Sequence, residues 1–163
     1  QKDVDLGYGP EDMQAGMALK AAVEGLPAPG VLPDIQAAID YAARQSGRKV
    51  GVVGYCWGGL LAWRAACLAE GLSAAVPYYG GGITSAEEVA RRPRVPVLAH
   101  FGERDRWITQ DGVQAFAQAH PEAQVHVYPA DHGFNCDQRA SYDEAAALNA
   151  RERTMAFLAR YVG

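Results

Sequence analysis

Three side chains in this sequence can act in series on a carbonyl carbon: Cys56, Asp105 and His132. Cys56 stands in Gly54-Tyr55-Cys56-Trp57-Gly58, after the run Val50-Gly51-Val52-Val53 and before Leu60-Leu61-Ala62-Trp63. A β-branched run, a glycine-flanked nucleophile and an apolar helical pattern predict strand, sharp turn and helix, with the thiol at the tip. A nucleophile there takes a positive φ. Side chains two residues to either side would collide as the chain folds back, so Gly54 and Gly58 are both expected to be small for that reason. The helix that follows aims its N–H groups at the sulfur, which lowers the thiol pKa and favours the thiolate.

Asp105 lies in Gly102-Glu103-Arg104-Asp105, after a predicted strand, and His132 in Ala130-Asp131-His132-Gly133-Phe134, after the next one. In parallel sheets the reactive groups gather at the carboxyl ends of the strands. His132 is expected to hold the thiol proton, Asp105 to fix its tautomer, and the backbone N–H of Trp57 to supply half of an oxyanion hole. Each residue alone has a plainer reading. A cysteine in an apolar stretch is usually a small buried hydrophobe, Asp105 could be a solvated turn aspartate with Glu103 or Asp111 as competitors, and His132 a loop histidine bonded to backbone. The ordered set of three at three strand ends outweighs those readings.

The elements that must position these groups follow from the pattern. Residues 1–12 read as a loop, Glu11 to Val23 as a helix with a loose Met13/Met17 stripe, and 25–33 as a Pro/Gly break. Asp34 opens a helix with Ile35, Ala38, Ile39 and Ala42 on one face. The elbow strand begins near Lys49 and its helix runs to about Glu70. Strands are expected at 74–79, 95–101 and 125–128, with Gly80-Gly81-Gly82 as a flexible loop. Helices are capped by Ser85 and Thr109, and a Ser141-Tyr142-Asp143-Glu144 capping box opens the last one. That helix is expected to dock through Leu148, Met155, Leu158 and Val162. Alternating strands and helices indicate an α/β fold, a parallel sheet with helices on both faces. Four strands with the elbow strand at an uncovered edge make a poor independent sheet, so residues 1–163 are expected to form one domain lacking its N-terminal strands, the C-terminal two-thirds of a complete one.

Composition narrows the function classes. The chain has 163 residues, 49% of them hydrophobic, and a net charge of −4, which gives no electrostatic case for nucleic acid or an anionic membrane. No apolar run approaches the length of a spanning helix, no secretory leader pattern opens at Gln1, and three cysteines suggest no disulfide framework; the expectation is a reduced, cytoplasmic protein. Cys67 reads as core, His100 as a satisfied core or edge residue, His120 as exposed, and His126 as lying on a polar strand face. Cys136 follows His132 by four residues without a second ligand pair, so no metal is expected. The glycines at 51–59 match neither a dinucleotide fingerprint nor a phosphate loop, and no cofactor is expected. Oligomeric state is not encoded in any of these patterns.

Gly51-Val52-Val53-Gly54-Tyr55-Cys56-Trp57-Gly58-Gly59, Tyr78-Tyr79-Gly80, Gly102-x-x-Asp105 and His132-Gly133-Phe134 resemble the dienelactone hydrolase family, the cysteine branch of the α/β-hydrolases. Ala147 to Leu158, with Glu152-Arg153-Thr154, is similar to the family's closing helix. The resemblance runs from about Met13 to the C-terminus and implies an α/β-hydrolase fold and a Cys56–His132–Asp105 triad. It also implies hydrolysis of a small ester or lactone through a thioester. The family's upstream strands would carry the second oxyanion donor and an acidic residue that contacts the thiol.

The resemblance further implies arginines that clamp a substrate carboxylate. Residues 7–15 hold none, and the later position is Cys136, which argues against dienelactone itself. Tyr79, Trp107, Phe134 and Cys136, with Trp57, are expected to line the substrate pocket; Arg104, Arg106 or Arg139 are the candidates to take over anion binding. The rival readings are a non-catalytic binding or regulatory module, and a redox-sensing thiol at Cys56.

Overall fold

The computed structural model describes residues 3–163. Helices α1 (Pro10–Glu24) and α2 (Leu32–Ser46) precede β1 (Val50–Tyr55) and α3 (Trp57–Leu68). There follow β2 (Leu72–Tyr78), α4 (Ala86–Ala90), β3 (Leu98–Gly102), α5 (Gln110–Ala119), β4 (Gln124–Tyr128) and α6 (Glu144–Tyr161). The four strands form one parallel sheet in the order β1-β2-β3-β4, so all strand ends that bear chemistry point the same way.

Helices cover both faces. Leu32, Ile35 and Ile39 of α2 pack with Ala65 of α3 and Ala69 just past its end against Val50 and Val52. A Cβ on Gly51 would lie 2.9 Å from Val162 and 3.1 Å from Leu158, so α6 covers the opposite face, as strand alternation requires. Trp63, Phe101 and Phe116 close the α3–α5 side, with ring centroids 4.9 and 6.0 Å apart. On the α6 side His100 is fully buried: Nδ1 meets the Tyr128 hydroxyl at 2.9 Å, Nε2 meets Thr154 Oγ1 at 3.0 Å, and Thr154 also bonds Tyr78 at 2.7 Å. Arg153 donates to the Tyr128 hydroxyl at 3.0 Å. The adjacent Arg153 and Thr154 therefore tie the last helix to three strands.

Four sequence expectations are corrected. The last helix does not dock through Leu148 and Met155, which are 52% and 58% exposed; Ala146, Ala147, Ala150, Thr154 and Phe157 face inward, because small residues let the helix lie close to the sheet. Its N-cap is Asp143, whose carboxylate accepts from the Ala146 N–H at 2.9 Å, rather than Ser141 two residues earlier. His120 is buried rather than exposed, its ring 4.8 Å from those of both Trp63 and Phe116. Helix α1 begins at Pro10, within the stretch expected as loop, and buries none of its residues, so its loose Met13/Met17 stripe stays exposed. On its free side β1 has no strand partner among the described residues, and Val53 and Tyr55 are exposed there. No helix among the described residues is long and apolar enough to cross a membrane.

Candidate active site

The turn after β1 holds Cys56 at φ 54°, ψ −119°, a conformation that L residues rarely adopt. Its N–H donates to the Tyr78 carbonyl at 3.0 Å, and its own carbonyl accepts from Gly59 at 2.9 Å and Gly81 at 3.2 Å. The strained residue is thus pinned by its neighbours on both sides, and Gly81 belongs to that clasp. The glycines divide the work differently from the expectation. A Cβ on Gly54 would sit 1.9 Å from the Gly58 carbonyl oxygen, and one on Gly59 would sit 2.5 Å from the Tyr78 oxygen and 2.9 Å from Gly80 Cα. Around Gly58 there is open space. It is the backbone of Gly58 that crowds Gly54, and Gly59 that lets α3 cross the end of β2.

Asp105 and His132 are brought together by two loops that touch closely. The Glu103 N–H donates to the Tyr128 carbonyl at 2.7 Å and that of Arg104 to the Ala130 carbonyl at 3.0 Å. A Cβ on Gly102 would lie 2.5 Å from the Ala130 oxygen, so only glycine permits this approach. Asp105 Oδ1 accepts from the Trp107 and Ile108 N–H groups at 2.9 and 3.1 Å. Its Oδ2 accepts from His132 Nδ1 at 2.7 Å, and His132 Nε2 lies 3.1 Å from Cys56 Sγ. The carboxylate is fully committed, which fixes the imidazole with Nδ1 protonated and Nε2 facing the sulfur. Tyr79 and Trp107 flank the imidazole with centroids 5.1 and 5.0 Å away.

The electrostatics match the geometry. The hydrogen bond from His132 lowers the Cys56 pKa below that of an ordinary thiol; burial opposes this, while the charge of His132, the Trp57 amide and Arg139 reinforce it. Burial would lower the His132 pKa, but the hydrogen bonds and charges of Asp105 and Cys56 prevail and raise it to about 9. Both shifts favour the thiolate–imidazolium pair. Cys67, buried in the core, is pushed up to about 12 by desolvation and has no such partner.

Beside His132 opens a cavity of about 520 Å³ whose walls include Tyr8, Met13, Arg106, Trp107, Arg139 and Ser141. Of the expected pocket residues, Trp107 lines it and is 65% exposed. Tyr79 and Phe134 are instead buried in the core behind the imidazole, and Trp57 turns to a different cavity; Cys136 is partly exposed in the loop after His132 without lining either. Of the three candidate arginines, Arg106 and Arg139 reach the cavity, whereas Arg104 lies 4.0 Å from Asp143. Tyr8, Met13 and Ser141 were not foreseen. No local pattern marks them, since only the tertiary fold lays residues 8–13 and 138–141 against His132.

A parallel sheet with helices on both faces, carrying a thiol at a positive-φ elbow with an acid and a histidine following in that chain order, defines an α/β-hydrolase fold. The esterase Pf2001 of Pyrococcus furiosus shares that fold, with a TM-score of 0.61 at 18% identity over 80% of this chain and 61% of that one. The chain belongs to the dienelactone hydrolase family, whose model matches residues 1–162. It is 39% identical over 133 residues to the carboxymethylenebutenolidase of Pseudomonas putida, covering 77% of this chain and 56% of that protein. A crystal structure described as a putative dienelactone hydrolase, from Klebsiella pneumoniae, superposes with a TM-score of 0.75 at 35% identity, over 85% of this chain and 64% of that one. The chain spans roughly three-fifths of the length of the curated relatives it matches.

Proposed function

We propose that this chain carries the nucleophile, base and acid of a hydrolase of small esters or lactones. The observation that carries the reading is the continuous series Cys56 Sγ, His132 Nε2, His132 Nδ1, Asp105 Oδ2, at 3.1 and 2.7 Å. The Cys56 thiolate attacks the carbonyl carbon, and the Trp57 N–H donates to the resulting oxyanion. Collapse breaks the C–O bond to the leaving oxygen, which takes the proton from His132 Nε2, leaving a thioester on Cys56. His132 then takes a proton from water as it attacks the thioester. The second collapse breaks the C–S bond, releases the carboxylic acid and restores the Cys56 thiolate beside the protonated His132. Asp105 keeps the imidazole oriented throughout and stabilises its charge. Cys56→Ala is expected to abolish turnover of p-nitrophenyl acetate by the full-length protein while leaving its melting temperature within a few degrees. Retained turnover removes the assignment and favours a non-catalytic module.

The cavity beside His132 supports a narrower substrate class. Neither Arg106 nor Arg139 has a carboxylate partner among the described residues, and both line that space. An acyl group bearing an anion fits there, although the arginines occupy other positions than those the family resemblance implies. Arg139→Gln is expected to lower kcat/KM for a p-nitrophenyl hemisuccinate about tenfold or more, and that for p-nitrophenyl acetate far less, by the small part its charge plays in lowering the Cys56 pKa. An equal loss on both esters would refute the anionic class.

A further inference from the structure

A second cavity, of about 290 Å³, lies against the elbow helix, and the thiol chemistry makes no use of it. Its apolar walls include Leu32 and Ile35 of α2 and Trp57 and Leu61 of α3, and Arg64 and Arg91 stand at its charged wall. That wall is organised from beneath. Glu88, 1% exposed, accepts from Arg64 Nε at 2.8 Å and Nη2 at 2.7 Å through Oε1, and from Arg91 Nε at 2.9 Å through Oε2. One buried carboxylate therefore fixes two guanidinium groups, and the Nη1 of each has no carboxylate partner among the described residues. The acids that line the cavity, Glu87 and Glu24, are 74% and 43% exposed and already paired with Arg91 and Lys20, so water screens them. An apolar pocket with a few oriented donors at one end is the form of a small-molecule site.

We propose that this cavity is a second ligand site and that it takes a small amphipathic carboxylate of about six to eight carbons. The carboxylate meets the free guanidinium edges of Arg64 and Arg91, which are held in place before binding. The hydrocarbon chain lies along Leu32, Ile35 and Leu61 and against the Trp57 indole. The proposal does not depend on the hydrolase reading, because it concerns a separate cavity. The two sites are nonetheless adjacent: Trp57 walls this cavity and directly follows Cys56.

The test is calorimetric titration of octanoate into the full-length protein after alkylation of Cys56, so that no turnover contributes. One saturable site is expected. Binding of 1-octanol should be at least tenfold weaker. Arg64→Met should weaken octanoate at least tenfold, Leu61→Trp should fill the cavity and abolish binding, and Arg139→Gln should leave it unchanged. If one of the first two variants melts early, the other decides. No saturable binding, equal affinity for octanol, loss in Arg139→Gln, or indifference to both cavity variants would each overturn the proposal. Since binding is read without activity, these outcomes leave the fate of the Cys56 assignment to its own experiment.

Discussion

At the scale of single residues, the three cysteines are three different chemical species. Cys56 is exposed, held at positive φ and bonded to His132; Cys67 is buried and pushed up to about 12; Cys136 is partly exposed in a loop. The Cys56 pKa is lowered and that of His132 raised to about 9, so the ion pair persists on the acid side of an ordinary thiol's range. Iodoacetamide should therefore modify Cys56 first, and its rate should rise less steeply between pH 7 and 8 than the roughly tenfold per unit of a free thiol. Peptide mapping of the alkylated protein checks this, and equal rates at Cys56, Cys67 and Cys136 would contradict it. In the proposed mechanism His132 is protonated to expel the leaving group, so ester turnover is expected to fall as pH rises through about 9.

Among the elements, the elbow is where sequence and structure can be compared most finely. The strand, turn and helix were legible because β-branched residues, paired glycines and an apolar run are each local signals. The role of each glycine was not, since it depends on which backbone atom crosses above it. Gly54→Ala places a Cβ 1.9 Å from the Gly58 oxygen and Gly59→Ala one at 2.5 Å from the Tyr78 oxygen, while Gly58→Ala meets nothing. The first two are expected to cost about 3 kcal/mol or more and to slow Cys56 alkylation. Gly58→Ala should stay within about 1 kcal/mol of the parent. Denaturant melts of the three variants distinguish this from symmetric crowding. The closing helix was misread for a related reason: Leu148 and Met155 are larger than Ala146, Ala147 and Ala150, but only the alanines permit close approach to β2 and β3. Side-chain size suggested a docking stripe, and closeness of packing kept only its C-terminal half, Leu158 and Val162. His120 is a parallel case, since nothing in its neighbours along the chain foretells the Trp63 and Phe116 rings that enclose it.

Across the whole molecule, His100 joins the sheet to α6, and its burial sets a pH dependence. Desolvation, then the charges of His126 and Arg153, depress its pKa to about 3, far below the 6.5 of an exposed histidine. The folded state keeps His100 neutral where the unfolded chain takes a proton. Its contribution to stability is thus complete above pH 6.5 and is lost as pH falls from there towards 3. Within that window the unfolding free energy should decline by up to about 1.4 kcal/mol per pH unit from this group. Chemical denaturation at pH 7, 6 and 5 measures the slope, and His100→Gln should flatten it; an unchanged slope would remove His100 as its source. The order cysteine, acid, histidine was visible in the sequence. The close passage of Gly102 beside Ala130, whose oxygen lies 2.5 Å from where a Cβ would stand, lets the acid and histidine loops meet and belongs to the assembled sheet alone.

The bond from Cys56 to His132 joins residues 76 positions apart. No local stretch can form it, and closing so long a loop is repaid only after β1 to β4 have aligned. The contact that lowers the Cys56 pKa is absent while the chain is partly folded and forms only when β4 docks. Timing is therefore built into the architecture: the thiol keeps an ordinary pKa until the Asp105 and His132 loops are in place, which limits unintended chemistry before then.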